Sequence, residues 1–278
     1  MNRLITAFIG IGMCLTSVAS AQGPLLIAPG PNPDNRPSFM LPVDATPAVP
    51  PVESLSAPPS LPRMAPELAL QAYQRRWESQ SAELISYSAS TLIRAELPDS
   101  QQSGELRVER HYAAPRTLEF KAVHYTGDGF VKSNVITRLL QSEVDHVQKD
   151  DPSLTALTPA NYKFSFKGSS QMDGRLVHDY QIKPRKKRAG LFKGHVYLDA
   201  YTGSLVRVEG TVVKSPSFFI KKIQFIQDYA DFGGFTLPTH MHSEALARII
   251  GRAVVDIYQH DYQPETHAVQ AAQQIPSM

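Results

Sequence analysis

The stretch of sequence that decides the fold runs from Gly194 to Tyr262. Its segments read HVYLDAYTGSLVRVEG at 195–210, SFFIKKIQFIQDYADFGGFTLPTHMHS at 217–243 and IIGRAVVDIYQHDY at 249–262. Apolar and polar residues alternate along each segment, which indicates half-buried strands because successive side chains of a strand point to opposite faces. Turn residues such as Phe232-Gly233-Gly234 separate the alternating runs. The stretch therefore predicts four or five consecutive antiparallel strands.

Upstream of this stretch, the sequence predicts two helices and further strands. Pro66 opens a helix that runs to about Ser81, with apolar residues at spacings of three and four. A second amphipathic helix over Ser133 to Lys149 interrupts the strands, and Ser133 or Asn134 can cap its start. The whole chain then has roughly nine strands in hairpin order. This pattern predicts an α+β, mainly β fold: one antiparallel meander, strongly curved or nearly closed, with helices on one side.

The first residues of the chain predict export. Residues 1–21 combine Arg3, an apolar run and the small-x-small sequence Ala19-Ser20-Ala21, which is the pattern of a secretory signal peptide. A helix that stays in the membrane and a lipoprotein acylated on Cys14 are the two alternatives. After removal of a signal peptide, the protein is expected to be soluble in the periplasm.

A proline-rich segment precedes the folded domain. Residues 22–66 contain 13 of the 22 prolines. Proline fixes φ and lacks a backbone N–H, so this segment is predicted to be a disordered or polyproline-like linker. The folded domain is expected at 67–262, and residues 263–278 are expected to form a frayed tail.

Cysteine content and charge exclude several classes of protein. Cys14 is the only cysteine and lies inside the predicted signal peptide, so a mature chain has no disulfide, thiolate metal site or cysteine nucleophile. The formal net charge of the chain is +2. Removing Arg3 with the signal peptide lowers it to +1, which argues against nucleic acid as a partner.

Two further patterns in the sequence are candidate binding sites. The cations Arg185, Lys186, Lys187 and Arg188 lie between two predicted strands, and they suit either contact with an anionic membrane surface or acidic partner, or a solvated loop. His240-Met241-His242 places two imidazoles on one face of a strand, but surface histidines are the favoured interpretation and no metal or other cofactor is predicted. The sequence has no nucleophile elbow, P-loop or dinucleotide fingerprint, so an enzyme is not predicted.

Several short stretches of the domain resemble a known superfamily. They are Gly104-Glu105-Leu106 leading to Arg110-His111-Tyr112, then Asn161-Tyr162-Lys163-Phe164, Gly194-His195-Val196-Tyr197-Leu198-Asp199, Arg207-Val208-Glu209-Gly210, and Asp228-Tyr229 followed by Gly233-Gly234-Phe235-Thr236-Leu237-Pro238. Over residues 67–262 the chain resembles the periplasmic lipoprotein-carrier superfamily of LolA, LolB and RseB-like proteins. The resemblance implies an unclosed half-barrel with helices as a lid over an apolar cavity that takes acyl chains.

The apolar side chains of the strands and of the second helix suit the same pocket, and an ordinary core is the alternative. The candidate pocket residues are Ile136, Leu139, Leu140, Val144, Phe164, Phe166, Phe219, Ile223 and Phe225. The first hypothesis is a binding protein that shelters an acyl chain of a lipoprotein or lipid, in outer-membrane lipoprotein sorting or envelope lipid transport. The alternatives are an RseB-like envelope-stress sensor with a protein partner and a hydrolase whose site the sequence does not reveal.

Overall fold

A computed structural model describes residues 62–215, 220–248 and 250–266. The helices are α1 (Pro66–Glu83), the short turn α2 (Gly129–Val131) and α3 (Thr137–Lys149), and a π-helical segment, Lys132–Ile136, joins α2 to α3. The strands are β1 (Leu84–Leu97), β2 (Gln102–Ala113), β3 (Thr117–Gly127), β4 (Tyr162–Met172), β5 (Arg175–Pro184), β6 (Phe192–Asp199), β7 (Leu205–Val212), β8 (Ile220–Phe232), β9 (Phe235–Ala247) and β10 (Gly251–Thr266).

The ten strands form one antiparallel sheet in the order β3-β2-β1-β10-β9-β8-β7-β6-β5-β4. All neighbours are consecutive in the chain except β1 and β10, which pair from Leu84↔Thr266 to Glu96↔Val254. The strands β3 and β4 lie at opposite edges of the sheet, so the connection between them, which holds α2 and α3, has to cross from one edge to the other. The prediction of an unclosed antiparallel sheet with helices on one side is confirmed.

The strands have an inner face, which the helices cover, and an outer face. On β8, Ile223, Phe225 and Tyr229 are buried on the inner face, whereas Lys222 and Gln224 are exposed on the outer face. The alternation predicted from the sequence is therefore confirmed on this strand.

A pair of glycines allows two strands to approach each other closely within the curved sheet. Gly194 of β6 lies directly opposite Gly210 of β7. A Cβ atom on Gly194 would meet the carbonyl oxygen of Glu209, and one on Gly210 would lie 2.5 Å from the carbonyl oxygen of Lys193. Any larger side chain at these positions would push the two strands apart.

The buried apolar residues form three clusters between the sheet and the helices. The first cluster joins Val135, Ile136 and Leu139 to inner-face residues of β1, β2, β8, β9 and β10. The second joins Tyr73 of α1 to β4–β8. The third joins Val147 of α3 to strand residues that include Tyr87. Each helix is thus bound to the sheet by an apolar face, at about 25 cal/mol for each Å² of apolar surface removed from water.

Two element boundaries and the number of strands differ from those expected. The second helical segment begins at Gly129, after Asp128, so the predicted start at Ser133 or Asn134 was wrong. The described residues form ten strands, whereas the sequence predicts roughly nine. Strand β10 continues to Thr266, beyond the expected end at 262, because its last residues pair with the start of β1. The predicted signal peptide, the linker up to residue 61 and the tail beyond 266 lie outside the described residues.

Candidate functional site

An apolar cavity of about 80 Å³ lies between α1, the loop around 152–157 and the inner face of the sheet. The loop contributes mainly small and apolar side chains, and the sheet contributes apolar side chains from β6, β7 and β8. The residues that line the cavity are Tyr73, Arg76, Trp77, Gln80, Pro152, Thr155, Ala156, Leu157, Gly190, Phe192, Gly203, Ser204, Leu205, Val208, Tyr229 and Thr236. The cavity therefore has apolar walls and a small set of polar side chains.

The spacing of residues along α1 explains which of them line the cavity. Tyr73 and Trp77 are four residues apart, as are Arg76 and Gln80, so both pairs turn toward the sheet. The hydroxyl of Tyr73 donates a hydrogen bond to the carbonyl oxygen of Leu157 at 3.0 Å. Burial raises the pKa of Tyr73, and the neighbouring Tyr229 and Tyr162 raise it further, so Tyr73 is a neutral donor throughout the physiological range. This bond links α1 to the loop that closes the cavity.

The polar residues of the cavity gather where α1 meets the β8–β9 hairpin. Arg76 forms an ion pair with Asp231 at 3.1 Å, and both side chains are partly exposed. The amide nitrogen of Gln80 donates to the carbonyl oxygen of Gly234 at 2.8 Å. One end of the cavity is therefore polar and near solvent, whereas its body is apolar, which is the arrangement that orients an amphiphilic molecule.

The residues that the sequence assigned to a pocket lie on the inner face or on the helix above it, in different clusters. Ile136, Leu139 and Ile223 belong to the first cluster, against which Leu140 packs. Val144 packs against the third cluster.

The other assigned residues lie nearer to α1 or at the sheet edge. Phe225 belongs to the second cluster, against which Phe164 packs, and Phe166 on the edge strand β4 is 44% exposed. Phe219 lies outside the described residues. None of the described candidates lines the cavity beneath α1, whose lining instead includes Trp77 and Phe192.

The basic run forms the loop that follows β5. Arg185, Lys186 and Lys187 are exposed. Arg185 donates to the carbonyl oxygen of Pro159 at 2.7 Å, and Arg188 donates to that of Leu154 at 3.3 Å. The basic loop is thus attached to the same 152–157 segment that lines the cavity.

The histidine pair on β9 lies on the outer face. His240 and His242 both contact the same carboxylate oxygen of Asp256, at 3.1 and 2.9 Å. Within the described residues, no group of three or more His, Cys, Asp or Glu side chains is arranged to hold a metal ion.

A second depression lies on the outer face, where β6–β9 run side by side. It has a volume of about 510 Å³ and is open, and its walls include His195, Glu209, Thr211, His242 and Glu244. This outer groove is larger than the cavity beneath α1, but it is wide open and half polar. We therefore take the apolar cavity beneath α1, which is the less open of the two, as the candidate functional site.

A buried ion pair lies beneath α3. Arg110 of β2 contacts Glu143 of α3 at 2.6 Å, and their side chains are only 6% and 14% exposed. The Nε atom of Arg110 donates to the hydroxyl of Tyr87 at 3.0 Å. Burial alone would lower the pKa of Arg110, but the neighbouring Glu143 carboxylate raises it above the ordinary value, so the guanidinium is charged. The sequence contained a signal for this pair, because Arg110 occupies an inward position of the alternating strand β2.

The helices of the described residues differ from membrane-spanning helices in length or composition. None of these helices combines the length and the apolar character that crossing a bilayer requires.

The structure defines a ten-stranded antiparallel sheet with helices over one face, and solved structures of similar proteins can be compared with it. A Vibrio parahaemolyticus protein domain described as outer membrane lipoprotein-sorting is 13% identical, with a TM-score of 0.38, and the match covers 72% of this chain and 94% of that chain. A LolA superfamily protein from Nitrosomonas europaea is 10% identical, with a TM-score of 0.35, covering 72% and 93%. The Pseudomonas aeruginosa MucA/MucB complex is 12% identical, with a TM-score of 0.23, covering 72% and 97%.

The Nitrosomonas europaea protein bears the name of the superfamily that the sequence resembles. No family model matches the chain. No curated protein matches its sequence either.

Proposed function

We propose that this protein shelters an acyl chain of a lipoprotein or lipid between α1 and the inner face of the sheet. We further propose that it does so in the periplasm, in outer-membrane lipoprotein sorting or envelope lipid transport. The apolar cavity beneath α1 is the observation that carries the proposal, because its body is apolar and its open end is polar. Each buried CH₂ of a chain contributes about 0.8 kcal/mol of binding free energy.

The cavity must widen when a chain enters. Its volume of about 80 Å³ is well below the roughly 300–1,000 Å³ of ligand pockets. We expect the 152–157 loop to move, because it lies outside the strands and the hydrogen bond from Tyr73 to Leu157 joins it to α1.

Movement of the loop would extend the cavity into the second core cluster. Phe225 stacks edge-to-face on Phe192 of the cavity wall, with ring centroids 5.0 Å apart, and Phe164 packs on the same cluster. We therefore propose these two candidates as the next contacts of a longer chain. Ile136, Leu139, Leu140, Val144 and Ile223 would meet ligand only if α3 also moves.

Filling each depression in turn tests the proposal. Trp77 lines the cavity and is the only tryptophan, so its fluorescence should change saturably when methyl dodecanoate binds. Ala156→Phe places a ring in the cavity and should weaken binding by about tenfold or more, which corresponds to about 1.4 kcal/mol. Thr211→Phe fills the outer groove instead and is the matched control, for which we expect unchanged affinity.

The possible results separate the two faces. If Thr211→Phe abolishes binding while Ala156→Phe does not, the outer groove is the site. If neither methyl dodecanoate nor dodecanoate binds to the wild-type protein, the acyl-chain proposal fails.

We also propose that the basic loop contacts an anionic membrane surface during loading or release. Each cation near such a surface contributes about 1 kcal/mol at low salt. Replacing Arg185, Lys186, Lys187 and Arg188 with Ser should weaken sedimentation with phosphatidylglycerol vesicles. The Lys186→Ser/Lys187→Ser variant removes two cations but keeps both loop hydrogen bonds, so it controls for folding. Equal vesicle binding by the wild-type protein and both variants would mean that the basic loop is only a solvated loop and does not contact the membrane.

A further inference from the structure

At the polar end of the cavity, the charges of Arg76 and Asp231 compensate each other. Asp231 accepts a hydrogen bond from Arg76 at 3.1 Å, one from the hydroxyl of Thr236 at 2.6 Å and one from that of Ser204 at 3.0 Å. The ion pair is electrically neutral as a unit. The two hydroxyl protons and the Gln80 amide are directed at protein oxygens rather than at the cavity.

One donor at this end has no partner. The Nε atom of Arg76 is buried and makes no hydrogen bond within the described residues. A buried donor that loses its water without gaining a partner typically costs about 1–3 kcal/mol, and more when it belongs to a charged group. The side chain that carries this donor lines the cavity. When the cavity widens to admit a chain, an oxygen at the head of that chain can reach the donor.

We propose that the cavity selects acyl chains whose head is an uncharged carbonyl, an ester or an amide, and that Arg76 Nε donates a hydrogen bond to this oxygen. The inference rests on the proposed function and names the ligand class of that same site. A carbonyl oxygen satisfies the donor and brings no charge, so the neutral pair of Arg76 and Asp231 stays balanced.

A free fatty acid fits this end less well. Its carboxylate would find one donor, and it would lie close to the carboxylate of Asp231, whose compensating cation is already engaged. Two like charges at such a distance repel each other, and solvent at this partly exposed end of the cavity screens the repulsion only in part. Esterified or amide-linked chains are the form in which acyl groups occur on lipids and lipoproteins.

The experiment compares methyl dodecanoate with dodecanoate at pH 8, by titration of Trp77 fluorescence, in the wild-type protein and two variants. Ionised acids are costly to dehydrate in any apolar site, so the diagnostic quantity is how the ester-to-acid affinity ratio changes between proteins. Asp231→Asn leaves the charge of Arg76 uncompensated and should shift the ratio toward the acid by about tenfold or more. Arg76→Met removes the donor and should weaken ester binding by about tenfold.

Two results would overturn the inference while leaving the proposed function standing. One is an unchanged ratio in Asp231→Asn. The other is undiminished ester affinity in Arg76→Met, which is the outcome expected if water alone serves the Nε atom. Failure of both ligands to bind to the wild-type protein would instead overturn the proposed function itself, so the two failures are distinguishable.

Discussion

The two faces of the sheet are built from the same alternating strands but hold their polar groups differently. On the inner face, polar groups are few and buried, and Arg110 and Glu143 form an ion pair shielded from water. On the outer face, charges form a ladder of partly exposed pairs, such as Arg207 with Asp228 and Glu244 with Arg252. Exposed pairs contribute little to stability, whereas breaking a buried pair is costly.

The same contrast applies to the two depressions. The outer groove has about six times the volume of the cavity beneath α1, yet a hydrocarbon chain would leave much of its surface in water there. Enclosure and apolar walls, rather than volume, decide where burial of a chain stabilises a complex. The difference between the faces can be tested by matched substitutions.

The largest effect is expected for Glu143→Gln. The substitution leaves the buried guanidinium of Arg110 without its counter-charge, which should lower the free energy of unfolding by about 3–5 kcal/mol. Glu109→Gln on the same strand β2 is the control, because Glu109 pairs with Lys121 on exposed side chains and its loss should change stability by about 1 kcal/mol at most. Urea unfolding measures both. Equal losses in the two variants would contradict the contrast between the faces.

The next effect compares apolar truncations. Leu139 of α3 is 2% exposed, and Ile226 on the outer face is 37% exposed. Leu139→Ala should cost about 2–5 kcal/mol because it leaves a cavity in a packed cluster. Ile226→Ala should cost about 1 kcal/mol or less, since much of that side chain already contacts water. Thermal unfolding of the two variants under identical conditions measures the two losses of stability. A larger loss for Ile226→Ala than for Leu139→Ala would show that the outer face is the more tightly packed one.

The smallest effect concerns pH. The hydrogen bond from Arg252 lowers the pKa of Glu244 from its ordinary value of 4.5, with smaller contributions from the Arg252 charge and from His242. A lowered pKa in the folded state means that the stabilisation is present above the unfolded value and is lost as the pH falls through the folded value. Glu244→Gln should therefore lower the midpoint of thermal unfolding slightly at pH 7.

In acid the same substitution should have no effect, because the wild-type carboxylate is then protonated too. Melting curves of the two proteins at pH 7 and near pH 3 provide the measurement. A difference that persists unchanged at the acidic pH would mean that packing, not charge, causes it.

Local patterns in the sequence were sufficient for the strands and for the class of fold. The alternation around Ile223 and Phe225 placed both residues on the inner face, because the period of two is a property of the strand itself. The helix over residues 133–149 was recognised from its apolar spacing. Its true start at Gly129 was missed because a π-helical segment breaks the α-helical period between 132 and 136.

The candidate site was much harder to predict. Both α1 and α3 carry apolar residues toward the sheet, and nothing in either helix tells which one packs tightly and which one leaves a cavity. The sequence predicts a pocket at residues such as Leu139 and Leu140 of α3, and this assignment stays a prediction. The structure places its apolar cavity beneath α1, beside Trp77.

The sequence by itself determined where most of the strands and helices form and which face of a strand such as β8 is apolar. These features depend on residues within a few positions of one another, so local periodicity and turn chemistry are sufficient. Only the tertiary structure decided that β1 pairs with β10, that Arg110 meets Glu143, and that Arg76 retains an unpartnered donor beside a cavity. Such contacts join residues far apart in the chain, and their geometry is set when the whole sheet curves and the helices pack against it.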